Sequence, residues 1–459
     1  MTPQELIEKI IARSTTADCI VIVEQSTEAN LRWAESTLTT NGMIKSQSVT
    51  VLSFVEVDGG LGVGAATRTD VEEVDIDVLL KESVEAAYAS GLADDYMTLL
   101  TDRQVGDWNA IHPETGPDAF KRIAPELGDM FTRSKADAIE LFGYAEHTSK
   151  TTWLGSKGGL RLRHDQPAGR IEVTAKSHNR SRSTWAGRST RDFSNVDIAS
   201  VDGELRRTLE WQAKRLDIPA GSYDTILPPG AVGDLLTYAV WMADARSAFE
   251  GRSAFSKQGG GMRIGEKLAN VPVNLYADPA YKGLESGNFI ATSQSSSHSS
   301  VFDNGYELGK TEMLVDGVLN SLIQTRSTAK LTNQPFTSFG DNFIMDVRGA
   351  SGSTEDLVKN MKSGLLLNTL WYIRMVDPQR LLLTGLTRDG VYKVENGEVV
   401  GAVNNFRWNE SPIELLGRIV EVGSTTITQP REWADWVHRI AMPALHVKDF
   451  NMSTVSQAN

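Results

Sequence analysis

With a single cysteine, Cys19, in 459 residues, the chain has no intramolecular disulfide framework to staple its loops. It also lacks a run of about 18 apolar residues, the length a membrane-spanning helix requires. Its most apolar stretch of helical character, Leu365 to Ile373, is short and includes Asn368. The opening MTPQELIEKI carries Glu5 and Glu8 where a secretory signal needs a basic start and an apolar core, so the expected location is cytoplasmic, with no membrane partner. Basic charge is the minority sign: 46 Lys and Arg against 59 Asp and Glu leave a net charge of -13. Because neutralised phosphates supply most nucleic-acid affinity, this balance speaks against a polyanion partner. The one basic stretch holds Lys157, Arg161, Arg163, Arg170, Lys176, Arg180, Arg182, Arg188 and Arg191 in strand-like alternation, which reads as a solvated sheet face. Histidine is scarce too. His112, His147, His164, His178, His298, His438 and His446 never fall three to five residues apart, so the chain has no local His-pair metal motif.

What is present suggests two domains, since the length exceeds one ordinary core and 40% of residues are hydrophobic. Thr2 as N-cap and Pro3 at the first helical position predict a helix through Ile11, followed by a buried strand over Cys19 to Val23. Strands over Ala29 to Ala34, Gly42 to Val57 and Leu61 to Thr67 are predicted to turn at Asn41-Gly42 and Asp58-Gly59-Gly60. A helix expected over Asp75 to Ala89 covers that sheet, and a second helix over Pro117 to Ser134 precedes a meander of strands over Ala138 to Thr148, Thr151 to Leu154, Gly159 to His164 and Arg170 to Ser177. A helix around Val201 to Leu216 runs into Ile218-Pro219-Ala220-Gly221, where proline and glycine suggest a boundary between domains 1-221 and 222-459. In the second half, strands are expected around Val271 to Leu275, Phe302 to Tyr306, Leu381 to Gly385, Gly390 to Val394 and Glu398 to Phe406. Helices are expected over Thr354 to Gly364 and Ser411 to Val422. The fold class is α+β, with antiparallel and mixed sheets under covering helices.

Several local patterns imitate sites. Ser293 to Ser300 encloses His298, but no Gly-x-Ser-x-Gly elbow occurs and the segment reads as a polar loop. Gly305 to Thr311 has three residues between glycines where a phosphate loop needs four. Gly60 to Ala65 fits a relaxed dinucleotide pattern but follows a hairpin turn and has no helix behind it, so hairpin packing explains it. Asp341 and Asp346, five residues apart, define no acid pair.

The informative segment is Tyr223 to Phe255. A strand over Thr225 to Leu227 enters Pro228-Pro229-Gly230, after which Val232, Leu235, Leu236, Ala239 and Ala243 mark one face of a buried helix. This frame closely resembles the helix of the TldD/PmbA family, whose catalytic member carries His-Glu, three residues, then His. Here those positions are Thr237, Tyr238 and Met242. A catalytic zinc needs three nitrogen, thiolate or carboxylate ligands, an open position for water and a carboxylate to take the proton; neither a threonine hydroxyl nor a thioether meets that need. Family catalysts also draw a ligand from a late cysteine, whereas Cys19 lies early. Resemblance continues in Leu31-Arg32-Trp33-Ala34, in Ser299 to Gly305, in Leu383 to Val391, in Asn405 to Pro412 and in Pro443-Ala444-Leu445.

The resemblance implies a TldE (PmbA)-like member without catalytic or metal-binding residues, the degenerate positions being Thr237, Tyr238 and Met242. It further implies that metal, expected to be zinc, resides in a TldD-like partner, and that the pair cleaves small or unfolded peptides in an enclosed cavity. The rival expectation is a stand-alone homodimer that binds peptide or regulates without protease activity.

Overall fold

The computed structural model describes residues 1–457. Helix α1 (Pro3–Arg13) opens on a capping box: the Glu5 amide donates to the Thr2 hydroxyl at 3.2 Å and the Thr2 amide to the Glu5 carboxylate at 2.9 Å. Its buried face, Leu6, Ile7 and Ile10, packs with Cys19, Val21 and Val23. The chain then forms β1 (Asp18–Ala34), β2 (Thr37–Val57) and β3 (Gly60–Thr69), covered by α2 (Ile76–Ser90). Gly62 and Gly64 allow that covering. A Cβ on Gly64 would stand 2.2 Å from the Ala87 amide nitrogen and the Ser83 carbonyl, so the glycines of the nucleotide-like pattern serve helix-on-strand packing. After β4 (Gln104–Val105) and α3 (Ala124–Ala136) come β5 (Glu140–Ser156), β6 (Arg161–Ser177) and β7 (Arg182–Thr190). These build one sheet in the order β3-β2-β1-β5-β6-β4, with β7 also on β6.

The strands are longer and fewer than the turn signals suggested. Asn41-Gly42 is no turn: it lies within β2, opposite Leu31 and Asn30 of β1. The chain reverses instead at Glu35-Ser36, both in the left-handed region at φ 51° and 57°. Ser36 is held there by β5, its amide donating to the Leu141 carbonyl at 2.9 Å and its hydroxyl accepting from the Leu141 amide at 3.1 Å. A tertiary contact thus displaced the turn from the residues that favour it. The strand expected to stop at Leu154 likewise runs on in β5 through Gly155, where a Cβ would stand 2.4 Å from Ile7 Cγ2 of α1.

Helix α4 (Ile198–Trp211) stops earlier than the pattern suggested, and β8 (Arg215–Leu216) follows. β9 (Gly221–Leu227) leads into α5 (Pro229–Trp241), whose Ala231, Val232, Leu235, Leu236 and Ala239 enter the largest core cluster. α5 lies between two sheets. One is six-stranded, with Val273–Ala277 flanked by Thr311–Val315 and Phe343–Val347. The other is nine-stranded, with β9 beside the long strand Ser363–Asp377. Leu365 to Ile373, read from sequence as helical, is part of that long strand. The expected strand at Phe302 to Tyr306 is a 3₁₀ turn over Val301–Asp303, tied down by the buried Asp303, which accepts from Arg326 Nε at 2.6 Å. The expected helix over Ser411 to Val422 survives only as Pro412–Leu415 and a 3₁₀ turn, after which Ile419–Val422 pairs with Leu445–Met452. The architecture is α+β with antiparallel and mixed sheets. No helix among the described residues is long and apolar enough to cross a membrane.

The two halves share both apolar and polar contacts. Phe289, Val301 and Phe302 pack with Ile20, Leu52 and Leu154 of the first sheet. Glu172 of β6 accepts from Arg431 at 3.1 Å and from Gln429 at 2.8 Å. The basic stretch from Lys157 to Arg191 is largely neutralised: Arg161 pairs with Glu8, Arg163 with Asp165, Arg170 with Glu146 and Asp435, Arg180 with Glu140, Arg188 with Glu204 and Arg191 with Glu285. It is an ion-paired sheet rather than an open cationic surface.

Candidate functional site

Pro228 at the N-cap and Pro229 at the first helical position start α5, and Met242 caps its end, donating its amide to the Tyr238 carbonyl at 3.1 Å. Apolar spacing turns this helix inward on nearly every side, so the three positions that would carry a metal site are set by packing. Thr237 is fully buried, and its hydroxyl has no hydrogen-bond partner among the described residues. Tyr238 is half-buried, its ring centroid 5.8 Å from Trp433 and 6.0 Å from Trp241. Met242 packs against the core. A neutral buried hydroxyl, a stacked phenol and a thioether do not fit a catalytic zinc ion, which needs harder or anionic donors and room for water. Among the described residues, no group of three His, Cys, Asp or Glu side chains could hold a metal ion. The one thiol belongs elsewhere: burial pushes Cys19 up to about 12, so it stays protonated beneath α1.

α5 instead holds a strap. Asp234, one turn before Thr237 and fully buried, accepts the backbone amides of Arg431 and Glu432 at 3.1 and 2.9 Å. Its own carbonyl accepts from Trp433 Nε1 at 2.9 Å. Burial raises the Asp234 carboxyl well above the ordinary carboxylate range, the two amide donors opposing that shift and the nearby Glu432 adding to it. Trp433 packs on Tyr238 and, at 4.9 Å, on Trp241. Glu432 accepts in turn from the amides of Tyr372 and Ile373. Arg431 reaches Glu172 and stacks over Trp185 and Trp371. Asp435 pairs with Arg170 at 2.6 Å. The segment 430–439 is thereby pinned to α5 at one side and to the first sheet at the other. Sequence reasoning missed this clamp, although an aspartate inside an apolar helical face was a signal, because its partners lie some 200 residues away.

Past the strap lies a cavity of about 650 Å³, within the size range of small-molecule and short-peptide sites. One wall is a face of the first sheet: Glu24 of β1, Thr148, Lys150 and Thr152 of β5, and His164 and Gln166 of β6. Opposite stand Val240 and Trp241 from the end of α5, with Phe289, Leu308, Phe339 and Phe343. Trp436, His438 and Arg439 of the strap complete the lining. Three histidines scattered through the sequence, His164, His298 and His438, meet on this lining, and burial keeps each below the ordinary imidazole range, His438 at about 4 with Arg170 and Arg439 contributing. All three are neutral at pH 7. Arg439 is also lowered by burial, with Asp341 opposing at 3.3 Å. Asp341 thus belongs to the cavity rim, while Asp346 lies in a strand and accepts from Asn274 at 2.9 Å; the two serve different contacts. The Ser293 to Ser300 segment is a loop in which Ser300 caps the following turn and donates to Asp95. Gly305, at φ 87°, turns beneath Leu160 with no helix following it, so no phosphate cradle forms.

The arrangement can therefore hold an extended polar ligand between a polar sheet face and an apolar wall. Comparison with known proteins agrees with the architecture. The family model described as PmbA/TldA metallopeptidase C-terminal domain matches residues 220–454. A protein described as a metalloprotease from Methanothermobacter thermautotrophicus is 22% identical over 336 residues, covering 68% of each chain. Among solved structures, TldE from Thermococcus kodakarensis superposes with a TM-score of 0.78 at 14% identity, covering 97% of this chain and 99% of that one. A proposed modulator of DNA gyrase from Thermotoga maritima gives a TM-score of 0.76 at 16% identity, over 98% and 100% of the two chains. With its second half matched by that model and its whole length by that fold, the chain belongs to the PmbA/TldD metallopeptidase family.

Proposed function

We propose that this chain is the non-catalytic, TldE-like subunit of a two-chain metalloprotease, supplying a wall of the chamber in which a metal-bearing relative cleaves small or unfolded peptides. The observation that carries the reading is the fate of α5. The helix keeps the frame of the family's metal site, yet Thr237, Tyr238 and Met242 are committed to packing, and Asp234, Tyr238 and Trp241 anchor the strap beside the cavity. In this reading a helix without a ligating role supports the wall of a binding chamber. Neutral histidines and mostly paired charges suit a ligand bound by its backbone and shape more than by its charge, which is what selectivity for flexible chains asks of a site. The metal, zinc by this reading, sits in the partner.

Native mass spectrometry with metal analysis, on the protein recovered from its own cells at natural abundance, tests this. The expected species is a complex of two unequal subunits, with metal on the other chain. A metal-free homodimer would favour the stand-alone peptide-binding reading, and zinc-dependent cleavage by this chain alone would overturn both.

A further inference from the structure

The cavity wall does not stop at the cavity. In an antiparallel sheet, residues directly opposite each other project to the same face. Glu24, Ser26 and Glu28 of β1 stand opposite Thr152, Lys150 and Thr148 of β5, which in turn stand opposite His164, Gln166 and Ala168 of β6. On the other side the same β1 residues stand opposite Ser48, Ser46 and Ile44 of β2. The polar floor of the cavity therefore runs on across β1 and β2 as one continuous face.

At β2 that face ends on an open edge. β3 pairs with β2 only from Ser48 onward, and the Asp70 amide covers Gln47. Residues 37–46 form their ladder with β1 alone, and among the described residues their outward backbone groups make no other hydrogen bond. This is roughly 33 Å of unpaired strand. Sheet edges left in water are ordinarily blunted by charge, proline, bulges or covering loops. Here the sequence TLTTNGMIKS carries one charge, Lys45, already paired with Glu114 at 2.7 Å, and no proline, and its one bulge, at Thr39, lies at the hairpin end and leaves Thr40 to Ser46 in regular register with β1. It exposes Leu38, Met43 and Ile44 at 50%, 49% and 53%.

We infer that the edge of β2 over Thr37 to Ser46 is the docking strand for the catalytic partner, which adds a strand there and so extends this chain's cavity wall into its own. This rests on the two-subunit reading proposed above. The occupant is argued from continuity: a strand hydrogen-bonded to this edge lies in the same sheet as Glu24, Lys150, Thr152 and His164, so its side chains continue the chamber floor. A substrate peptide has no need of an edge two strands away from the cavity's centre.

Hydrogen–deuterium exchange read by mass spectrometry, on the isolated chain and on the complex recovered from its own cells, decides the matter. In the isolated chain the outward amides of residues 37–46 exchange fast; in the complex they slow at least tenfold, and Ile44→Asp, with an unchanged melting temperature, weakens assembly at least tenfold. If an unequal, metal-bearing complex forms and residues 37–46 exchange as in the free chain, the docking assignment is wrong while the two-subunit reading stands. If only a homodimer is recovered, the two-subunit reading falls, and protection of 37–46 in that homodimer would reassign the edge to a second copy.

Discussion

Removing the Asp234 carboxylate should release the strap without unfolding the core. Its two oxygens accept the amides of Arg431 and Glu432 at 3.1 and 2.9 Å, and the side chain is fully buried. In Asp234→Ala both amides lose their acceptor inside the protein, at about 1–3 kcal/mol each, and a small void opens. In Asp234→Asn one oxygen still accepts while the new NH₂ group faces the other amide, so about half of that loss is expected. Because the strap can peel into water and recover hydrogen bonds there, the global loss should stay near about 2–4 kcal/mol for alanine, against about 1–2 kcal/mol for asparagine. Urea unfolding reads the global term, and amide exchange over residues 430–439 reads the local one. Exchange should rise across the strap in both variants, more in alanine, with residues 225–241 little affected. Unchanged stability and unchanged exchange in Asp234→Ala would refute the clamp, and uniform loss of protection throughout α5 would show that Asp234 supports the core rather than the strap.

Other expectations follow from the same contacts. His438 has a pKa held near 4 in the folded chain against 6.5 when free, so the folded state favours the neutral ring; the stability this represents, at most about 3 kcal/mol, is present above pH 6.5 and lost as the pH falls toward 4. His438→Gln should flatten that part of the melting-temperature profile, and an unaltered profile would remove His438 as its cause. Gly64→Ala places a methyl group 2.2 Å from backbone atoms of α2, which should cost about 3 kcal/mol in chemical denaturation; a loss under about 0.5 kcal/mol would mean that α2 shifts freely. Glu172→Gln weakens the contacts from Arg431 and Gln429 that join the halves; with both partners partly exposed to solvent, about 1–2 kcal/mol is expected, and a double-mutant cycle with Arg431→Gln should show coupling. Restoring the family motif by Thr237→His, Tyr238→Glu and Met242→His should give neither stoichiometric zinc by metal analysis nor peptidase activity, because Thr237 sits in a closed core and the only thiol is buried beneath α1.

The family frame and the α+β class were legible in the sequence, because these rest on residue type at fixed local spacing: an apolar helix behind Pro228-Pro229-Gly230 and the alternation of strand patterns around it. Local capping also determined α1, since Thr2, Pro3 and Glu5 are neighbours along the chain. Tertiary structure decided wherever two distant segments compete with a local preference. β5 moved the hairpin reversal from Asn41-Gly42 to Glu35-Ser36, and the apolar run at Leu365 became a central strand because β9 and the strand Leu382–Glu395 flank it. Only the tertiary structure brought His164, His298 and His438 to one cavity and the strap onto Asp234. Hydrogen bonds and burial depend on separations in space, and for these groups the chain supplies no local period from which those separations can be read.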